Sequence, residues 1–374
     1  NDSMIKKAGY YLFAAFFALF RLFPLREDKV FFVATHDDSP EGNVGIVAEA
    51  LRRRRPEMKL CFLTRRDGIR HPITFFVIRA YQMATSGTIF MDNEFMPMAY
   101  TRVHPKAKVV QLWHGTGSIK RIGLDVETGQ VAELAKRANR RITHLIVNSE
   151  RMKKQYARAF GVPEEKTYVL GLPRTDLILD GECMEQKRES FYAKYPQLRA
   201  KKCVLYAPTF RDDEVDDPRL ALDLAEWTRQ ADQDEVLLLR LHPHVAANFS
   251  EDVLAAYGDS VINVSAYPGV TTLLAVADCL ITDYSSIIYE YCLFDRPMIF
   301  YAYDLQKFRE NGRDFYEDYE NYVPGPVVQN QSDLVKIWRQ EGEWKEKVAD
   351  FRREVYEFLD KNAVNRLFEL IFHI

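Results

Sequence analysis

The sequence lacks the signatures of the common metal-dependent and nucleotide-dependent enzymes. It has no His-Glu-x-x-His pair, no Walker loop and no Gly-x-Gly-x-x-Gly, and we therefore predict no bound metal and no cofactor. Cysteine is scarce, odd in number and never spaced Cys-x-x-Cys, which indicates free thiols in a reducing compartment. The five cysteines are Cys61, Cys183, Cys203, Cys279 and Cys292.

An excess of basic charge and a long hydrophobic run are also missing. The 51 lysines and arginines are outnumbered by 54 acidic residues, giving a net charge of −3, which argues against a nucleic-acid partner. The longest N-terminal apolar run, from Ala8 to Phe20, is shorter than the roughly 20 residues that a spanning helix needs. At 374 residues, the chain is long enough for about two domains of roughly 100–200 residues each.

The N-terminal segment has the pattern of a helix that lies in a membrane interface. Phenylalanines recur there at helical spacing, and lysines and arginines flank the apolar run. Basic pairs elsewhere in the first half suit an anionic membrane surface. We therefore predict a membrane-interface helix over 5–25, although a helix packed on the protein's own core has the same pattern. The phenylalanines are Phe13, Phe16, Phe17, Phe20 and Phe23.

The rest of the chain alternates short apolar runs with helical patterns. Continuous Val/Ile/Leu runs of this kind are typical of parallel strands that are covered on both faces. The fold class is therefore α/β, with two doubly wound, Rossmann-like domains at 26–176 and 177–374, the second including the terminal helices. The predicted strands are 30–35, 60–64, 88–92, 109–113, 145–148, 204–207, 236–241, 261–264, 280–282 and 298–300.

Polar residues that follow these strands are the candidates for chemistry, because open α/β sheets bind ligands beyond the carboxyl ends of their strands. His114 follows a strand of the first domain, beside glycines, and is suited to proton transfer near neutral pH. Lys120, a few residues later, could hold an anion. A histidine that merely stabilises a loop would have the same sequence context.

In the second domain, two strand ends carry basic residues. Thr209 and Arg211 follow the first strand and are suitable hydrogen-bond donors to phosphate. Arg240 and His242 follow the next and indicate an anionic ligand, although Arg240 could equally pair with a surface carboxylate.

The segment Thr282-Asp283-Tyr284-Ser285-Ser286 joins a strand to an apolar helical pattern. The free N–H groups at a helix start attract anions, so Asp283, Ser285 and Ser286 are candidate phosphate-binding residues. Simple N-capping by Asp283 or Ser285 is the alternative, and the two interpretations are compatible. Two domains with a histidine at a strand end, plus this anion site, favour an enzyme that acts on a nucleotide diphosphate.

Four motifs together resemble the CDP-glycerol glycerophosphotransferases of teichoic acid synthesis. They are Trp113-His114-Gly115-Thr116, Ala207-Pro208-Thr209-Phe210-Arg211, Leu241-His242-Pro243 and Thr282-Asp283-Tyr284-Ser285-Ser286. The resemblance extends from about residue 30 to about residue 330.

This resemblance implies a GT-B architecture, with two Rossmann-like domains facing a central cleft, the first for the acceptor and the second for CDP-glycerol. It implies that His114 is the general base, that His242 stabilises the pyrophosphate, and that Ser285 and Ser286 contact phosphate. Thr209 and Arg211 match the donor-side loop.

The implied reaction transfers glycerol phosphate from CDP-glycerol to an undecaprenyl-diphosphate-linked disaccharide and releases CMP. It takes place at the cytoplasmic face of the cell membrane, with the enzyme bound peripherally. In length, the chain is most similar to the short priming enzyme of this family. A short glycerol or ribitol phosphate polymerase, a nucleotide-sugar glycosyltransferase of GT-B fold and a catalytically silent membrane scaffold are the alternatives.

Overall fold

We describe the protein from a computed structural model whose described residues are 2–68, 70–211, 216, 219–311, 315–338 and 342–374. The chain divides into two units, and each is built on one six-stranded parallel sheet. The first unit comprises residues 1–117, 122–177 and 355–374, and the second comprises 118–121 and 178–354.

The first sheet has all its strand pairs parallel. Its strands are β1 (Arg26–Ala34), β2 (Lys59–Thr64), β3 (Ser86–Met91), β4 (Lys108–Gln111), β5 (His144–Val147) and β6 (Thr167–Val169). They lie in the order β2-β1-β3-β4-β5-β6, which is the flavodoxin-like order. The direction of winding reverses between β1 and β3, and ligands of open α/β sheets bind at such a reversal.

Helices cover both faces of this sheet. They are α1 (Asp2–Phe20), α2 (Asn43–Arg54), α3 (Ala80–Ala84), α4 (Gly129–Asn139), α5 (Glu150–Phe160), α6 (Pro173–Leu179) at the boundary of the units, and α17 (Ala363–Phe372). Side chains of α1, α3, α4 and α5 share one core cluster with Phe31 and Ile89, and those of α2 and α17 share the other with Phe32 and Phe90. The strands are buried on both faces, and consecutive residues of each strand are therefore apolar in the sequence.

The last helix packs on the first unit, which differs from the domain boundary that we predict from sequence. Leu367 and Phe368 of α17 are buried in the core cluster of α2. The Asp176 carboxylate accepts the N–H groups of Ala363 and Val364 at 2.9 Å each, and so satisfies amides at the helix start. Residues 355–374 therefore belong with the first sheet rather than with the second domain.

Helix α1 uses part of its aromatic face for the protein's own core. Phe13 and Phe17 are fully buried, and Phe16 and Phe20 pack against the same cluster. Of the five phenylalanines that we predict to face a membrane, Phe23 has an exposed side chain, with an exposed fraction of 51%. The predicted face is therefore wrong for Phe13 and Phe17.

A different set of apolar side chains on and just after α1 is exposed. They are Met4, Ile5, Tyr11, Leu12, Leu19, Leu22 and Phe23. Among the described residues, no helix combines the length and the apolar character that crossing a membrane requires.

The second sheet is also parallel throughout. Its strands are β7 (Lys202–Tyr206), β8 (Glu235–Leu239), β9 (Val261–Asn263), β10 (Cys279–Thr282), β11 (Met298–Tyr301) and β12 (Val327–Val328). Their order, β12-β11-β10-β7-β8-β9, is that of the Rossmann fold, and its reversal lies between β7 and β10.

Ten helices of the described chain follow or flank these strands. They are α7 (Gly181–Lys194), α8 (Leu224–Gln230), α9 (Pro243–Ala246), α10 (Glu251–Leu254), α11 (Val270–Val276), α12 (Ile287–Tyr291), α13 (Leu305–Asn311), α14 (Tyr319–Tyr322), α15 (Gln331–Trp338) and α16 (Trp344–Val355). The five cysteines are free thiols, as the sequence predicts.

Candidate active site

The carboxyl end of β4 places His114 in an unusual backbone setting. The residue before it, Trp113, has φ 61°, which is the left-handed region and costs free energy for a bulky side chain. Two side chains hold this conformation: Gln111 Oε1 accepts the N–H of Trp113 at 2.9 Å, and Asn43 Nδ2 donates to its carbonyl at 3.2 Å. The backbone that leads into His114 is therefore held by side chains from β4 and α2.

The His114 ring is half-buried among other aromatic rings. Its centroid lies 4.0 Å from the Trp113 ring and 3.6 Å from the ring of His36. Burial lowers the pKa of His114 to about 3, and the nearby charges of His36, Arg174 and Arg65 act in the same direction. His114 is therefore neutral at physiological pH and has a lone pair with which to accept a proton.

His36 was not among the residues that we predict from sequence. It follows β1, whereas His114 follows β4, and the carboxyl ends of parallel strands meet at one edge of the sheet. Between them, Asp92 follows β3 and accepts the N–H groups of His36 at 3.2 Å and Asp37 at 2.9 Å. The signal that could have found His36 is the same one that found His114, a histidine directly after a buried strand.

Lys120 lies in the second unit, although its sequence position precedes β5 of the first. It forms an antiparallel bridge with Phe315. Its Nζ lies 5.0 Å from the ring centroid of Phe308 and 5.8 Å from that of Tyr284. These contacts are cation–π contacts, so aromatic faces surround the cation that we predict to hold an anion.

At the reversal of the second sheet, Asp283 after β10 joins the loop that follows β7. Asp283 is 1% exposed, and its Oδ1 accepts the Thr209 N–H at 2.9 Å and the Thr209 hydroxyl at 2.8 Å. It also accepts the N–H of Tyr284 at 2.7 Å. The predicted N-cap role for Asp283 at α12 is wrong, because its carboxylate binds the β7 loop instead.

Arg211 is buried at the centre of this arrangement. Its Nη2 donates to Asp283 at 2.8 Å, and its Nε and Nη2 both donate to Asp304, at 2.7 and 3.1 Å. Its Nη1 donates to the carbonyl and hydroxyl oxygens of Thr209, both at 2.7 Å. All five N–H donors of the guanidinium therefore have protein acceptors.

This geometry changes the role that the sequence suggests for Thr209 and Arg211. Neither presents an unused donor to phosphate in this conformation, since the Thr209 hydroxyl donates to Asp283. They tie the loop after β7 to the ends of β10 and β11. Asp304, three residues beyond β11, completes the network and was missed, because an acidic residue in a loop carries no distinctive sequence signal.

His242, at the end of β8, is exposed and has a defined tautomer. Its Nδ1 accepts the backbone N–H of His244 at 3.2 Å, so the neutral ring carries its proton on Nε2. The ring stacks on Phe210 with centroids 4.0 Å apart. His242 can therefore donate a hydrogen bond from Nε2 to an anion.

Arg240 and the two serines differ in how much donor capacity they retain. Arg240 Nη1 donates to the carbonyls of Ser265 and Tyr267, at 2.8 and 2.9 Å, so it supports a loop instead of pairing with a carboxylate. Ser285 Oγ accepts the N–H of Ile287 at 3.2 Å, and among the residues that the structure describes its hydroxyl proton has no acceptor. Ser286 is exposed at the start of α12, which has only five residues.

One group of acidic residues places potential metal ligands close together. Asp232, Asp234 and Glu235 have carboxylate oxygens within 4.8 Å of one another at the amino end of β8. That end of the strand is opposite to the end that carries His242, and exposed acidic groups are common without an ion.

Three comparisons relate this chain to known proteins. A family model described as CDP-Glycerol:Poly(glycerophosphate) glycerophosphotransferase matches residues 15–373. The chain is 33% identical to the teichoic acid poly(ribitol-phosphate) polymerase of Bacillus spizizenii over an aligned length of 382 positions, and this alignment covers 99% of this chain and 60% of that protein. It is 30% identical to the teichoic acid ribitol-phosphate primase of the same organism, over 93% of this chain and 96% of that protein.

Among solved structures, the wall teichoic acid polymerase TagF, in a variant soaked with CDPG, is similar with a TM-score of 0.83. The identity is 21%, and the match covers 100% of this chain and 95% of that one. This likeness confirms the predicted fold class, two Rossmann-like units of the GT-B type with an N-terminal helix.

Proposed function

This chain belongs to the CDP-glycerol:poly(glycerophosphate) glycerophosphotransferase family, and on that premise we propose that it transfers glycerol phosphate from CDP-glycerol to a lipid-linked hydroxyl. The acceptor is an undecaprenyl-diphosphate-linked disaccharide, and the transfer primes wall teichoic acid. The observation that carries the proposal is the neutral, half-buried His114 imidazole at the carboxyl ends of the first sheet.

In the proposed reaction, the acceptor hydroxyl attacks the β-phosphorus of CDP-glycerol. His114 takes the hydroxyl proton as the new O–P bond forms. The bond between the β-phosphorus and the bridging oxygen breaks, and CMP leaves with that oxygen and its electron pair. The residues of this chain supply the proton acceptor and the hydrogen bonds to the phosphates.

We assign the hydrogen bonds to the phosphate groups to three residues: His242, Ser285 and Ser286. The Nε2–H of His242 and the two serine hydroxyls can donate to phosphate oxygens, on which negative charge grows as CMP departs. Thr209 and Arg211 act indirectly by fixing the loop beside His242, since Phe210 of that loop stacks on the His242 ring.

A ribitol phosphate transferase is the second candidate. The names of the two Bacillus spizizenii relatives favour it, because both names specify ribitol phosphate. The chain spans 60% of the length of the first of them and 96% of the second, which is a primase. The two candidates differ in the polyol that they transfer, so the mass of the product distinguishes them.

The test is nucleotide release by the purified chain with a lipid-linked disaccharide acceptor. CDP-glycerol, CDP-ribitol and a UDP-sugar are supplied separately, and the products are weighed by mass spectrometry. We expect CMP release with CDP-glycerol and a product that is one glycerol phosphate heavier. CMP release with CDP-ribitol alone would support the second candidate, and release of UDP alone would contradict both.

We propose further that the first unit binds peripherally to the anionic cytoplasmic face of the cell membrane. Leu19 and Leu22 are exposed at the end of α1. Helices α1 and α4 both contact residues 96–100, where Arg137 of α4 lies 4.9 Å from the Tyr100 ring. Exposed leucines at the end of α1, together with an exposed arginine on a helix that packs on the same segment, suit interfacial binding.

Replacing Leu19 and Leu22 by glutamine tests this surface. Each buried leucine contributes about 1.5–3 kcal/mol, so we expect vesicle binding to weaken by at least about tenfold. The measurement is co-sedimentation with phosphatidylglycerol vesicles. The control replaces Val253 and Leu359, both 48% exposed and remote from α1 in sequence, and should bind like the original chain. Unchanged binding of the Leu19/Leu22 variant would contradict the proposal.

A further inference from the structure

Two histidines form a close face-to-face pair at the carboxyl edge of the first sheet. The ring centroids of His36 and His114 are 3.6 Å apart, and the ring planes differ by 9°. Within the described part of the chain, the His114 ring is held by aromatic contacts, from His36 and from Trp113, and not by a hydrogen bond to either nitrogen. Most histidine bases are oriented by a hydrogen bond on the second nitrogen, so this arrangement needs another orienting contact.

His36 is well anchored through its backbone, while its side chain is exposed. Its N–H is donated to Asp92 at 3.2 Å, and its carbonyl accepts from Arg65 Nη2 at 2.7 Å. Arg65 Nε also donates to the Thr35 carbonyl at 2.6 Å. The peptide on both sides of His36 is therefore fixed at the point where the winding of the sheet reverses, and the ring stands against His114.

The charged groups around the pair come from four elements. Arg65 follows β2, Asp37 follows His36, Asp92 follows β3, and Arg174 is in α6. Arg174 Nη2 donates to Asp37 at 2.9 Å, and the Asp92 carboxylate accepts two backbone N–H groups. These pairings engage the neighbouring charged groups with one another and with the backbone, and the two imidazoles remain as the bases of this cluster that take up a proton when the pH falls.

We propose that His36 is a positioning residue for His114: its imidazole holds the plane of the His114 ring, and the pair accommodates a single proton. The second part follows from distance, because two imidazolium rings stacked at 3.6 Å would repel each other. The proposal rests on the proposed function in that it assigns the single proton to the step in which His114 receives it from the acceptor hydroxyl.

The direction of the pH effect follows from the same contact. Although the His36 side chain keeps contact with solvent, desolvation of part of its ring lowers the pKa of His36, and the charge of Arg65 adds to this effect. As the pH falls, a proton on His36 opposes a second proton on His114 and keeps His114 available as a base. Removing the His36 charge therefore raises the pKa of His114 and moves the acid limb of kcat/KM to higher pH.

The test compares His36→Phe with His36→Ala in the full chain. Phenylalanine retains a flat ring against His114 but cannot be protonated. We expect His36→Ala to lower kcat by about 10–100-fold through misorientation of the base, with the KM for CDP-glycerol little changed. His36→Phe should recover most of kcat while its acid limb lies at higher pH. Because His36 is exposed, neither variant should alter the melting temperature.

A matched control is His144→Phe, which replaces another histidine of the first unit that is also stacked on a ring. His144 lies at the amino end of β5, with its centroid 5.1 Å from that of Tyr168. We expect this variant to leave kcat and the acid limb unchanged. The proposal is overturned if His36→Phe performs no better than His36→Ala, or if neither variant differs from the original chain.

An NMR titration separates this proposal from the proposed function. With ¹⁵N-labelled histidine, the ring nitrogens of His114 report its protonation in the absence of any substrate. We expect His36→Phe to shift the His114 titration to higher pH. An unchanged titration would overturn the pairing even if the enzyme is active, and a shifted one would support it even if CDP-glycerol is not the donor.

Discussion

The His114→Ala variant is expected to release CMP from CDP-glycerol 10²- to 10⁴-fold more slowly than the original chain, which is the typical contribution of a placed proton-transfer group. The physical reason is that His114 is the neutral, half-buried imidazole at the edge of the first sheet. Without it, the acceptor hydroxyl must lose its proton to water. The measurement is single-turnover CMP release with the lipid-linked acceptor.

Donor binding distinguishes a lost base from a lost fold. The dissociation constant of CDP-glycerol, measured by calorimetry, should be nearly unchanged in His114→Ala. The reason is that the residues proposed to donate hydrogen bonds to the phosphates lie in the second unit. His242→Ala should also abolish transfer, but through weaker stabilisation of the phosphates. Near-full activity of either variant would show that the assigned role is wrong.

The second large effect concerns stability. Replacing Arg211 by methionine leaves the buried carboxylate of Asp283 and the partly buried carboxylate of Asp304 without their shared cation. Breaking a buried ion pair by removing one partner typically costs about 3–5 kcal/mol, and we expect a loss of this size in the free energy of unfolding. Urea denaturation, followed by circular dichroism, measures it.

An exposed ion pair in the same unit provides the matched control. Arg199 makes two hydrogen bonds to Glu189, both at 2.8 Å, on the surface of α7 and the turn that follows it. Because solvent screens that pair, Arg199→Met should unfold at nearly the original urea concentration. If Arg211→Met keeps its stability but loses affinity for CDP-glycerol, then Arg211 donates hydrogen bonds to the phosphates of the substrate, as the sequence suggests.

Much of the sheet architecture could be predicted because its strands are buried on both faces. All ten predicted strands are present, within a few residues at each end. The two strands that were missed, β6 and β12, have three and two residues and lie at sheet edges. Strand β9 is equally short but is recognisable from the apolar residues Val261, Ile262 and Val264, whereas β6 reads Thr-Tyr-Val and β12 offers two valines.

The strand ends that carry the candidate residues could be predicted from sequence, while the roles of these residues stay predictions. The rule that ligands bind beyond strand ends places His114 and His242 correctly at carboxyl ends. The engagement of all five Arg211 donors depends on Asp304, which is 93 residues away in sequence. Such pairings arise from the order of strands in the sheet, which local sequence patterns do not specify.

The position of α17 has a practical consequence for dissecting this protein. A gene fragment that stops at residue 177 would express the first sheet without its final helix, and the apolar surface around Phe90 and Val110 would meet water. Such a fragment is prone to aggregate for reasons unrelated to catalysis. To produce that half by itself, residues 355–374 should be fused back to it through a flexible peptide.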